Sequence, residues 1–70
     1  MTEAHVYSVA EIVGSSERSI EDAIAVAITR MTELKRNVRW FEVLQTRGHV
    51  ENGRIAHYQI VLKVGFTLEH

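Results

Sequence analysis

The amino-acid sequence predicts an α+β subunit of order β-α-β-β, a three-stranded sheet wrapped around one helix. Three observations carry this reading. One stretch has apolar residues at helical spacing, the segments on either side alternate as strands do, and an Asn-Gly pair divides the second of these into a hairpin.

The first strand is expected over residues 5–13, HVYSVAEIV, which is rich in β-branched and aromatic side chains and is followed by Gly14 as a turn signal. Tyr7, Val9 and Val13 fall on one side, and Val6, Ala10 and Ile12 on the other. Apolar residues on both sides predict that both faces are covered.

The helix is expected next, with Ser15, Ser16 or Ser19 as the cap whose hydroxyl accepts an orphan amide hydrogen. Ile20, Ala23, Ile24, Ala27, Ile28, Met31 and Leu34 follow steps of three and four, which stack side chains on one helical face. Acidic Glu17, Glu21 and Asp22 lie at the start of this run, Lys35 and Arg36 follow it, and Asn37 is the expected stop, an order that suits the helix dipole.

The second strand is expected over residues 38–47, with Phe41 and Val43 on one face and Val38, Trp40, Glu42 and Leu44 on the other. Asn52-Gly53 then closes a hairpin, because both residues tolerate positive φ. In the third strand Tyr58, Ile60, Leu62, Val64, Phe66 and Leu68 form one apolar face opposite His57, Gln59, Val61, Lys63, Gly65 and Thr67. One helix about 10 Å across covers about two strands at ~4.8 Å spacing. The far face of the sheet, with Trp40, Val38, Leu44 and Val61, is therefore left open as an interaction surface.

Composition narrows the function classes. Seventy residues read as one domain, residues 1–70, and a chain of this length buries only about 60% of the surface of its unfolded form. Small domains gain support from disulfides, metal or self-association; with no cysteine, self-association leads. Eight Lys and Arg against nine Asp and Glu give a net charge of −1, without the basic stripe that nucleic acid requires. No apolar run approaches the roughly 20 residues of a membrane span, and the opening MTEAHVYS lacks the pattern of a signal peptide, so a cytoplasmic protein is expected.

Trp40 is the sole tryptophan and is predicted to point away from the core. Such an indole is either interface packing or a stacking platform for a flat heteroaromatic ligand. A flat ring has two faces to cover, and a twofold contact between copies would bring two Trp40 side chains to one slot. Gln59 is predicted on the same face, and its carboxamide matches a lumazine or flavin pyrimidine edge, with one acceptor and two donors in a plane. Among the histidines, only His49 with His57 across the hairpin is placed to share a metal, and no metal site is expected. Catalysis is not expected either: the serines read as caps, and no phosphate loop or nucleophile elbow is present. Arg39, Arg47, Arg54 and Lys63 are the cations of the sheet; solvation or pairing with Glu42 and Glu51 accounts for most of them, and any one could meet a ligand phosphate.

The segments Glu11-Ile12-Val13-Gly14-Ser15-Ser16, Trp40-Phe41-Glu42-Val43, Arg47-Gly48-His49, Ala56-His57-Tyr58-Gln59 and Lys63-Val64-Gly65-Phe66 together resemble the dodecin family of bacterial type, over nearly all of the chain. The resemblance implies an antiparallel three-stranded sheet around a helix, assembled into a hollow homododecamer of tetrahedral symmetry. It implies flavins, above all FMN, bound in pairs between symmetry-related copies of Trp40. Gln59 would hydrogen-bond the pyrimidine end, with Arg47 and His49 near the pocket. Storage or buffering of flavin and protection from its photochemistry would follow, without turnover, and coenzyme A is a second ligand in some members. Thr67 stands where many bacterial members carry a basic residue, a departure that bears on any coenzyme A or phosphate contact there. A structural interaction module without a ligand is the reading of a different class, and the colour of a flavin-loaded preparation separates the two.

Overall fold

The computed structural model describes residues 6–35 and 37–68; His5 of the expected first strand and Arg36 after the expected helix lie outside them. Strand β1 spans Tyr7–Ser16, helix α1 Ile20–Leu34, strand β2 Val38–Glu51 and strand β3 Arg54–Thr67. The sheet order is β1-β3-β2, antiparallel throughout, so β3 is central and the β-α-β-β subunit expected from sequence is observed.

β1 does not stop at Gly14 but runs on to Ser16. A Cβ at Gly14 would lie 2.3 Å from the Ala23 carbonyl oxygen and 2.9 Å from the Ala27 Cβ. The glycine therefore marks where the helix backbone crosses the strand, a close approach rather than a turn. Side chains alternate along β1: Ala10 and Ile12 pack against the core, whereas Val9 and Val13 are exposed on the far side. Within one chain the strand is covered on one face only, not on both as its composition suggested.

Ser19 is the cap that forms. Its hydroxyl accepts the Asp22 amide hydrogen at 2.9 Å, satisfying one orphan donor of the first turn. Ser16, buried at the end of β1, ties the strand to the helix: its hydroxyl donates to Asp22 Oδ2 at 2.6 Å and accepts from the Arg18 amide at 2.9 Å. The helix ends at Leu34, earlier than the Asn37 stop, because Lys35 is already extended at φ −128 while its amide donates to the Met31 carbonyl at 2.7 Å. Acidic residues fill the first turn, but the last turn has no basic one, and the Lys35 ammonium sits 5.6 Å from the Phe66 ring centroid instead.

The core is a single layer between α1 and the centre of β3. Ala23, Ala27 and Met31 meet Ile60, Leu62 and Val64, with Ile24, Ile28, Val38 and Phe66 packed around them. The three aliphatic side chains of β3 are wholly buried and contribute on the order of 1.5–3 kcal/mol each. Small alanines on the helix face are what allow its backbone to approach Gly14. Ile20 and Leu34, at the ends of the apolar stripe, remain exposed.

Asn52 and Gly53 have φ of 54 and 74, so both central residues of the turn are left-handed, as a type I′ hairpin requires. β2 continues past Arg47 to Glu51 and carries two irregularities that alternation could not show. The register shifts between Val38 and Trp40 and between Val43 and Gln45, leaving Arg39 and Leu44 as extra residues. Val38 consequently pairs with Phe66 and packs on the core, not on the open face as expected. Leu44 belongs to neither alternating row. The pairing of Trp40, Glu42, Phe41 and Val43 with opposite faces survives.

The helix lies over β1 and β3 and hardly touches β2. Phe41, on the helix side of β2, therefore stays 47% exposed, and Val43 beside it is also open. Among the described residues no helix is long and apolar enough to cross a membrane.

Candidate functional site

The sheet face turned away from the helix is built in cross-strand rows. Val9, Gly65 and Trp40 form one row; Glu11, Lys63 and Glu42 the next; then Val13, Val61 and Gln45; and then Ser15, Gln59 and Arg47. Beyond the end of β1, His57 opposes His49. The four residues that the family resemblance implies for the flavin site (Trp40, Gln59, Arg47 and His49) therefore lie on this one face.

They form two groups, not one. Arg47 is directly opposite Gln59, with His49 one row further along. The Arg47 guanidinium donates to the side-chain carbonyl of Gln45, which holds the cation over the same face. The His49 and His57 rings stack with centroids 4.9 Å apart and planes 6° from parallel. Face-to-face imidazoles present parallel nitrogens, and among the described residues no group of three or more His, Cys, Asp or Glu is placed to hold a metal ion.

Trp40 stands apart. It is opposite Gly65, and Gly65 is six residues from Gln59 along β3. At ~3.4 Å per residue the indole is about 20 Å from the Gln59 row. That distance exceeds the length of a tricyclic ring, so one chain cannot clamp one ligand ring between its own Trp40 and Gln59. The same-face placement expected from sequence is observed; their joint action on a ring needs a second copy.

Each group has its own electrostatics. The Trp40 end is apolar, with Val9 in the same row, and is bordered by a row holding two carboxylates and one ammonium, Glu11, Glu42 and Lys63. The other end offers a guanidinium and a carboxamide side by side. Trp40 is 40% exposed, so its indole is neither core nor fully solvated. A largely desolvated aromatic surface that stays accessible is what stacking onto a heteroaromatic ring requires.

The sequence places Gly65 in a motif and on the outer face of the third strand, without a role toward Trp40. The signal for such a role was a glycine in the interior of a long central strand, which can mark close approach of another group.

A family model described as Dodecin matches residues 6–69. The dodecin of Thermus thermophilus is 44% identical over 64 residues, which cover 91% of this chain and 93% of that protein. Among solved structures, the dodecin from Streptomyces davaonensis superposes with a TM-score of 0.93 at 41% identity, covering 97% of this chain and 100% of the other. The dodecin from Streptomyces coelicolor gives the same TM-score at 43% identity, covering 99% of each chain. The chain belongs to the dodecin family.

Proposed function

We propose that this protein sequesters flavin, FMN foremost, as a store and buffer that shields the cell from flavin photochemistry, and that it does so as a homododecamer without catalytic turnover. The observation that carries the reading is Trp40: the sole indole of the chain lies half-exposed on the uncovered sheet face, about 20 Å from the Gln59 and Arg47 pair on the same face. A slot lined by both groups has to be assembled from more than one copy.

The residues fit the ligand. Two Trp40 side chains related by symmetry would cover the outer faces of a stacked flavin pair. Gln59 of a neighbouring copy supplies the planar acceptor and donors that match an imide edge, and Arg47, with His49 beside it, supplies a cation for a phosphate. The bound flavin supplies an excitable ring that an adjacent electron-rich indole can quench. Coenzyme A is a second ligand that the same cationic end could accept. Self-association is supported by Phe41 and Val43 on one face and Val9 and Val13 on the other, all open in a lone chain.

The test is a titration of FMN with the purified protein, read by flavin emission. Emission is expected to be quenched on binding. Each indole face adds about 0.5–1.5 kcal/mol beyond burial, so two faces make Trp40→Ala weaken binding roughly tenfold or more. Native mass should be about twelve times the 8.0 kDa subunit. Unchanged emission, or wild-type affinity in Trp40→Ala, refutes the flavin reading in favour of a ligand-free interaction module.

A further inference from the structure

Gly65 is opposite Trp40 in the register. A Cβ at Gly65 would lie 2.1 Å from Trp40 Cε2, 2.4 Å from Cζ2 and 2.5 Å from Nε1. These distances say which part of the ring is involved. Cζ2 and Nε1 are both bonded to Cε2, and a point beyond the rim between them would be nearer to those two than to Cε2. The observed order is the reverse, so the point lies over the face of the indole. The ring is laid face-down on the glycine, occupying the volume a side chain would fill.

Gly65 has no positive φ and is not in a turn, so the backbone at this position does not itself demand glycine. It is buried, and the atoms that a Cβ would strike belong to Trp40. Val9, its other neighbour in the row, is not among the three nearest atoms.

We infer that Gly65 is a positioning residue for Trp40: by lacking a side chain it seats one face of the indole against β3 and turns only the opposite face outward. Each chain then offers a single aromatic face at a fixed height above the sheet. The inference rests on the flavin reading for its consequence in binding, but the seat itself does not depend on any ligand. Any side chain at position 65 lifts or swings the indole, which moves the ledge on which a ring would stack.

Gly65→Ala tests this in the assembled protein, and the chain has no other tryptophan to confuse the signal. The expected result is a native mass and far-UV spectrum like wild type, loss of most of the near-UV tryptophan dichroism, greater quenching of Trp emission by acrylamide, and an FMN dissociation constant raised tenfold or more. Wild-type tryptophan dichroism in Gly65→Ala overturns the inference. If Gly65→Ala fails to assemble, the double variant Trp40→Ala with Gly65→Ala decides. It should assemble as Trp40→Ala does if the indole is what glycine accommodates, and its failure where Trp40→Ala succeeds overturns the seat. Should wild type not bind FMN while Gly65→Ala still loses the dichroism, the seat stands and the flavin reading falls.

Discussion

Replacing Gly14 by alanine tests how the helix is held to the sheet. The added methyl would sit 2.3 Å from the Ala23 carbonyl oxygen, where ordinary contact begins at 3.4 Å, so α1 must withdraw by about 1 Å. The obstruction is backbone, and no rotamer change relieves it. Withdrawal loosens Ala23, Ala27 and Met31 from Ile60, Leu62 and Val64, which are the whole buried apolar core among the described residues. Overpacking costs typically 1–3 kcal/mol, and a backbone clash in so thin a core belongs at the upper end, about 3 kcal/mol. A chain of this length has about 3.5–10 kcal/mol in total at 0.05–0.15 kcal/mol per residue.

Urea unfolding followed by far-UV dichroism measures the loss, at one fixed subunit concentration because association adds stability by mass action. With m of about 1–2 kcal/mol/M, the midpoint should fall by roughly 1.5–3 M. Gly48→Ala is the control: its Cβ would be 3.6 Å from the His57 carbonyl oxygen, an ordinary contact, and its midpoint should move by less than about 0.5 M. Equal midpoints for Gly14→Ala and Gly48→Ala would refute the close-approach account of Gly14.

Two further outcomes concern the core and the cap. Leu62→Ala, at a wholly buried position in the central strand, should cost about 2–5 kcal/mol by equilibrium unfolding, whereas Phe41→Ala, half open in one chain, should cost less in any dissociated subunit. Ser19→Ala removes the acceptor of the Asp22 amide and should lower stability by about 0.5–2 kcal/mol, with Ser19→Asp restoring most of it in the same assay.

The helix and the apolar face of β3 were legible because their signals are local and repeated. Steps of three and four from Ile20 to Leu34 leave little alternative to a helix, and Ile60, Leu62 and Val64 are buried as their alternation implies. Gly14 misled because a glycine at the end of a strand pattern is also a turn signal, and only the helix crossing above it distinguishes the two uses. Val38 was placed on the wrong face because bulges have no signature in the residues that form them.

That Trp40, Gln59, Arg47 and His49 share one face was legible in the sequence, and so was the separation of Trp40 from Gln59 along the strands. Counting back from the Asn52-Gly53 turn brings Trp40 opposite Gly65, since the extra residues Ala56 in β3 and Leu44 in β2 offset each other. That count already separates Trp40 from Gln59 along the strand. The seating of the indole on Gly65 was not accessible, because it depends on a rotamer.

The hairpin outruns the rest of the molecule. β1 pairs with β3 only from Tyr58 to Thr67, so residues 49–51 and 54–57 form a bare two-stranded ribbon, with Val50 65% and Ile55 56% exposed. An isolated ribbon of this kind is at best marginal in water. A neighbouring subunit that covered this tip would add the order a bare ribbon lacks, and folding of the tip would then be coupled to assembly of the particle. Amide protons of Val50 and Ile55 would exchange quickly in a lone subunit and slowly once it is enclosed, so that their protection times the closing of the particle.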